Sequence, residues 1–263
     1  MGAMTTTHTT HLPVDHSDTF TGRTALVTGA SSGIGRAVVG QLAQAGAAVA
    51  AIARRADRLA EIGSGVMPVV SDVADADALA RAVDRVVSEL GPPDLVVANA
   101  GVMLPSPVTA ARLDEWQRTI SVNIGGVAAT IAATVPHLVA AAAEGRTADL
   151  VIVSSIGDAI AFPEYAFYSA SKAAVTKLSH DLRADLAPLG VRTLNVRPGL
   201  VATELHGNVT QPERRAELEQ WLDEITPLTA DDVARAVLAA LAVPRHVNVS
   251  EITVLPTAQV APV

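Results

Sequence analysis

Thr28-Gly29-Ala30-Ser31-Ser32-Gly33-Ile34-Gly35 follows directly on the short apolar run Arg23-Thr24-Ala25-Leu26-Val27 and opens a helical pattern that reaches Ala45. In that position the spacing Gly29-x-x-x-Gly33-x-Gly35 decides the fold. Glycine is needed where the chain turns tightly, where its backbone must approach another group closely, and where a helix packs hard against a strand. The helix N-terminus adds unpaired N–H groups and the positive end of a dipole, which together receive an anion. The turn, with Ser31, Ser32 and Ile34 between its glycines, therefore predicts a cradle for the pyrophosphate of a dinucleotide.

Outward from the turn the alternation continues. Gly46 closes the first helix, Ala47 to Ala53 reads as a second strand and Val66 to Val70 as a third. Asp75 to Leu90 is a helix ended by Gly91-Pro92-Pro93, and Leu95 to Ala98 is a fourth strand. An uncharged, alanine-rich helix ends at Ala143, and the strand Leu150 to Val153 follows it. Tyr168 to Leu189 is a helix closed by Gly190, then strand Val191 to Val196, helix Asp231 to Leu241 and strand Ile252 to Leu255. Strands alternating with helices predict an α/β fold, a single doubly wound Rossmann domain. Its seven-stranded parallel sheet has right-handed crossovers and helices on both faces. The domain is expected over residues 21–259 with a small helical lid at 204–225. A disordered leader (1–20) and a short tail (260–263) flank it. No internal repeat or linker divides it.

Composition narrows the function. A chain of 263 residues suits one large α/β domain. The net charge of −8 argues against a nucleic-acid partner, which would want a basic face. There is no cysteine, so disulfides, a thiolate nucleophile and Cys-based metal sites are excluded. The leader holds His8, His11 and His16 without a scaffold to orient them, and no metal is expected. It lacks the basic and apolar regions of a signal peptide, and Met4 offers a second start that would leave Met1-Gly2-Ala3 outside the native chain. Thr119 to Ala143 carries no charge and is long enough to span a bilayer, but Asn123, Pro136, His137 and its alanines dilute it. It reads as a buried or interface-forming helix. A soluble, cytoplasmic protein is expected.

At the end of the second strand an acidic side chain would bind a ribose 2′-OH, whereas an arginine pairs with a 2′-phosphate. Here Ala53 is followed by Arg54 and Arg55. Arg54 is expected on the phosphate and Arg55 in solvent, giving NADP(H) preference over NAD(H). Tyr168-Ser169-Ala170-Ser171-Lys172 places a phenol and an ammonium on one helical face. Alone, that spacing is more often a surface pair than chemistry. A lysine so placed is expected to lower the tyrosine pKa toward the working range of an acid–base catalyst.

With Asp72-Val73, Asn99-Ala100-Gly101, Asn123, Ser155 and Pro198-Gly199 in order, these motifs resemble the short-chain dehydrogenase/reductase family from about Thr21 to Gln259. The resemblance implies an oxidoreductase that moves hydride between NADP(H) and a small aldehyde or ketone. Ser155 would hold the substrate oxygen, Tyr168 would shuttle its proton, and Lys172 would bind the nicotinamide ribose. Asn123 would hold the water chain that reloads the proton. It further implies Asp72 and Val73 at the adenine, and Asn99, Ala100 and Gly101 along the cofactor. Pro198, Gly199, Val201 and Thr203 would hold the carboxamide. Ser32 stands where many NADP-dependent relatives carry a second basic residue, and Asp158 replaces a small residue common after the serine. Helix packing between subunits implies a homotetramer or homodimer. The tail Val249 to Gln259 resembles a bacterial subgroup with 3-hydroxy acid and serine dehydrogenases and clavulaldehyde reductases. For the substrate pocket, Met103, Leu104, Phe162 and Trp221 are expected to supply apolar walls, with Arg214 and Arg215 on a solvated lid face. The competing class is a non-catalytic NADP-sensing regulator on the same fold, disfavoured because Ser155, Tyr168 and Lys172 are all present.

Overall fold

The structure, a computed structural model, describes residues 19–205, 216 and 225–260. The leader before residue 19, most of the expected lid with Arg214, Arg215 and Trp221, and the tail beyond 260 lie outside the described residues. Seven strands, β1 (Thr24–Thr28), β2 (Ala48–Ala53), β3 (Val66–Val70), β4 (Leu95–Ala98), β5 (Ala148–Val153), β6 (Val191–Pro198) and β7 (Glu251–Val254), form one sheet in the order β3-β2-β1-β4-β5-β6-β7. Every pairing is parallel, with Ala25 opposite Val49 on one side and Leu95 on the other. The chain runs outward from β1 to β3 and then crosses back to β4. The crevice at the carboxyl ends of β1 and β4 is thus the switch point where such sheets bind ligands.

Alternation along the strands builds the two faces. Ala25, Val27, Val97 and Val151 point into a core with Val38, Val39 and Leu42 of α1 (Gly33–Gln44) and Val233, Val237 and Leu241 of α7 (Ala230–Leu241). Leu26, Val96, Leu150 and Ile152 point to the other face. There they meet Leu79, Val83 and Val86 of α3 (Ala76–Leu90), Leu138 of α5 (Gly126–Ala143) and Val175 of α6 (Ala166–Leu186). Near-continuous apolar strands are what a sheet covered on both faces demands.

Two helices were not expected from the sequence: α2 (Ala56–Ala60), a single turn after β2, and α4 (Leu113–Ile120). A π-helical turn, Ser121–Gly125, joins α4 to α5. The resulting run Leu113–Ala143 is long and apolar enough to cross a membrane by length and composition alone. Val122, Val127, Thr130, Thr134, Leu138 and Ala141 of this run are buried within the fold.

Candidate functional site

The glycine turn is shaped by what it touches. Gly29 has φ +68°, and a Cβ there would sit 2.8 Å from the Ala100 Cα. A Cβ on Gly35 would strike the Asn99 amide and lie 2.5 Å from the Gly29 carbonyl. No side chain fits at either position, so the chain after β4 packs directly on the turn after β1. Asn99 locks that approach: its Nδ2 donates to the Thr28 carbonyl at 2.9 Å, and its N–H donates to Thr28 Oγ1 at 3.1 Å. Ser32 is the N-cap of α1, yet its side chain makes no cap hydrogen bond, and the first turn holds no acidic residue. The N-terminal N–H groups of α1 therefore stay available to an anion.

Beside this turn stand the two arginines. Arg54 is half exposed, with Nη1 3.7 Å from Asp72 Oδ2. Arg55, expected in solvent, is exposed and also reaches across the turn. Its Nη2 donates to Ser32 Oγ at 2.7 Å and Ser31 Oγ at 3.0 Å, and its Nη1 donates to Glu204 Oε2 at 2.7 Å. Arg55 is the N-cap residue of α2, in extended conformation, at the point where the chain leaves β2. Glu204 also faces Arg58 at 3.6 Å. The hydrogen bond from Arg55 holds the Glu204 carboxyl below its ordinary pKa.

Val73 packs on the start of α5, where Gly126 leaves room for it: a Cβ there would be 2.6 Å from Val73 Cγ2. On the far side, Leu200 N–H donates to Gln259 Oε1 at 2.8 Å, and the Ala202 N–H donates to the Leu228 carbonyl at 2.8 Å. Gln259 thereby fixes the Pro198–Thr203 segment. Sequence reasoning assigned no site role to Gln259, Glu204 or Arg55. The signal available was a second arginine, Arg55, two positions after the end of β2.

Ser155, Tyr168 and Lys172 come together at the other end. Ser155 Oγ accepts from the Gly157 N–H at 3.0 Å and is hydrogen-bonded to Tyr168. Lys172 Nζ donates to the Val153 carbonyl at 3.0 Å and stands 5.9 Å from the centre of the Tyr168 ring. Burial pushes Lys172 down to about 8. Tyr168 moves opposite to expectation: burial raises it above the ordinary tyrosine range, the Ser155 hydrogen bond pulls it back, and the Asp158 charge raises it again.

Asn123, in the π-helical turn, is fully engaged. Its Oδ1 accepts from Val102 N–H at 2.8 Å, and its Nδ2 donates to the Val102 carbonyl at 2.9 Å and to Ser171 Oγ at 3.0 Å. Its side chain thus clamps a loop, and no amide proton is left over for a water chain.

One cavity of about 380 Å³ connects all of this. Its wall runs from Arg54, Arg55, Asp72 and Val73, past Gly29, Ser31 to Ile34 and Asn99 to Gly101, to Ser155, Tyr168, Lys172, Pro198 to Val201 and Thr203. Met103, Ile156, Phe162, Tyr165, Leu200 and Leu205 close the hydroxyl end. Leu104, expected there, is packed in the core beneath with Val102 and Val122. A nicotinamide dinucleotide fits these residues. The cradle has no Cβ where backbone approach is needed, arginines stand at one end, and hydroxyls with an ammonium stand at the other.

A family profile described as short chain dehydrogenase matches residues 23–214. The chain is similar to a glycine betaine reductase of Emericella nidulans, 39% identical over 242 residues that make up 89% of this chain and 19% of that much longer relative. It is also similar to a probable NADP-dependent dehydrogenase of Haemophilus influenzae, 36% identical over 90% of this chain and 94% of the relative. Among solved structures, the closed form of a serine dehydrogenase complexed with NADP+ matches with TM-score 0.83 and 28% identity. The match covers 90% of this chain and 96% of that one.

Proposed function

The chain belongs to the short-chain dehydrogenase/reductase family of NAD(P)-dependent oxidoreductases, and from that premise we propose that it interconverts a small aldehyde or ketone and its alcohol using NADP(H). The observation that carries the proposal is the convergence of Ser155, Tyr168 and Lys172 on the cavity that the glycine turn and the two arginines also line. When bound, the nicotinamide supplies the hydride in reduction and accepts it in oxidation.

The chain's own residues do the rest. Ser155 hydrogen-bonds the substrate oxygen, its hydroxyl directed by the Gly157 N–H. Tyr168 gives that oxygen a proton in reduction and takes it back in oxidation. Preplaced donors meet the charge that develops on the oxygen, usually the largest catalytic effect. Lys172, with its remaining ammonium protons, holds the ribose and faces Tyr168. With its side chain committed, Asn123 serves the proton relay through the main chain of the π turn, a feature often found at functional sites.

Arg54 and Arg55 together hold the 2′-phosphate, with Ser32 beside them. Asp72 and Val73 meet the adenine. Asn99, Ala100 and Gly101 line the nucleotide, and Pro198, Gly199, Val201 and Thr203 hold the carboxamide. The apolar hydroxyl end, with Met103, Phe162 and Leu205, favours a small substrate with an apolar substituent. The small-residue face of α5 suits a homotetramer, checked by light scattering. A panel of carbonyls and alcohols, scored by NADPH consumption or formation, tests the activity. No turnover on any member, with NADPH still bound, would favour the cofactor-sensing reading.

A further inference from the structure

Asp158 is a charged side chain that the proposed reaction does not use. It ends the 3₁₀ turn Ile156–Asp158 directly after Ser155, its side chain is 4% exposed, and it lies behind the cavity wall. Both its oxygens are occupied. Arg197 Nη2 donates to Oδ1 at 2.7 Å and Arg197 Nε to Oδ2 at 2.9 Å, while Thr176 Oγ1 donates to Oδ2 at 2.7 Å. Thr176 lies on α6 one turn beyond Lys172, and Arg197 comes from β6. Behind Arg197 stands Glu251 of β7, 3.4 Å from Nη1. Glu251 in turn accepts from Asn195 Nδ2 at 2.8 Å and lies 3.1 Å from His180 Nε2 on α6.

The other end of the same turn touches the two hydroxyls. Gly157 N–H directs Ser155 Oγ, and a Cβ on Gly157 would be 3.5 Å from the Tyr168 ring. Against Tyr168 stand Lys172 and Tyr165 on or beside its own helix and Ser155 on the turn; Asp158, turned to Arg197 and Thr176, reaches it only through its charge. Arg197, Glu251 and His180 lie behind Asp158. A buried ion pair adds little stability over an apolar pair of equal volume. What it does supply is a fixed charge at a fixed place.

We propose that Asp158, clamped by Arg197 and Thr176, is a positioning residue. It pins the turn that aims Ser155 and keeps the Tyr168 proton in place until substrate is present. The proposal rests on the acid–base reading of Tyr168. It makes the reaction's pH limb, and not only its rate, a property of a residue outside the cavity.

The test measures kcat/KM for alcohol oxidation against pH in the wild type, Asp158→Asn, Asp158→Glu and Tyr168→Phe. Phenolate absorbance is titrated in the cofactor-free proteins alongside. The chain has only two tyrosines, Tyr165 and Tyr168, so Tyr168→Phe isolates the signal of interest. Asp158→Asn removes the charge, and both the kinetic limb and the phenolate transition should move to lower pH. On the rising limb its rate, relative to its own plateau, should exceed wild type about two- to fivefold, as expected for one charge removed at such a site. Asp158→Glu keeps the charge on a longer arm, so the limb should stay and kcat should fall. Should Asp158→Asn fold poorly because Arg197 is left unpaired, the double variant Asp158→Asn/Arg197→Gln takes its place; it removes the more distant cation along with the anion, so a smaller downward shift is expected, and an unmoved or raised limb in it overturns the proposal. An inactive Tyr168→Phe with the Asp158→Asn limb unmoved or raised overturns this proposal alone. An active Tyr168→Phe overturns the acid–base reading, and this proposal with it.

Discussion

Lys172 shows what the site costs the fold. Its pKa is held down to about 8 from 10.5 by burial. Between those values the unfolded chain binds a proton that the folded chain does not. Stability from this group is therefore lowest below pH 8 and rises with pH through that window. Lys172→Met should remove turnover yet raise the melting temperature of the cofactor-free protein at pH 7. The effect is on the order of 3 kcal/mol at most and should shrink toward pH 10; a melt series over pH 7–10 reads it. Tyr168→Phe should abolish turnover while NADPH binds within about twofold of wild type, because the ring still packs. At the other end, Arg55→Ala should weaken NADPH about ten- to a hundredfold, the worth of a charge-assisted hydrogen bond, and barely affect NADH. Ala53→Asp should reverse the preference. Paired titrations of both cofactors decide this, and equal affinities in the wild type would remove both arginines from the phosphate. Ser155, Tyr168, Lys172 and the glycines were legible because each carries its chemistry in its residue type and spacing. The contacts of Arg55 with Ser31, Ser32 and Glu204 were not, since they join residues far apart in the chain.

At the scale of elements, the sheet and its main helices could be read from apolar runs punctuated by Gly46, Gly91 and Gly190. Boundaries moved by a few residues: β5 begins at Ala148, α6 at Ala166, and β7 one residue early at Glu251. The misses share a cause. α2 has five residues, too short for any periodicity to show. The α4 helix is amphipathic but lacks an N-cap side-chain bond, and it runs unbroken into the π turn. It is anchored from outside instead, by Trp116 stacked on Phe167 with ring centres 4.4 Å apart. Where elements touch most closely, the glycines set the tolerance. Gly126→Ala would drive a methyl into Val73, and Val73 sits on a loop of its own. We expect a loss of about 1–3 kcal/mol in chemical denaturation, the usual penalty of overpacking. Cofactor affinity should fall too, because Val73 lines the cavity.

Across the whole molecule the two rims of the sheet have different roles. The carboxyl rim holds the cavity. The amino rim holds an ion network: Arg23 bridges Asp94 at 2.7 Å and Asp149 at 2.9 Å, and Arg192 meets Asp149 at 2.6 Å. Arg192 also donates to the carbonyls of Leu241, Val243 and Val247, closing the end of α7. Arg192→Ala should therefore cost about 3–5 kcal/mol, as removing one partner of a buried pair does. Turnover of the protein that remains folded should stay near wild type, since the site is at the opposite rim. None of this network shows in the sequence, where its four charges lie scattered between positions 23 and 192. Between the rims lies the grip of Asn123 on Val102. By backbone pattern Val102 is loop, and a loop amide ordinarily trades its hydrogen for deuterium quickly. Here that amide is paired to a side chain buried in the helical layer, so it should exchange only when α5 and α6 come apart. Slow exchange at residue 102 would mark the floor of the cavity as part of the slowest-opening unit of the fold, persisting while the walls around it come and go.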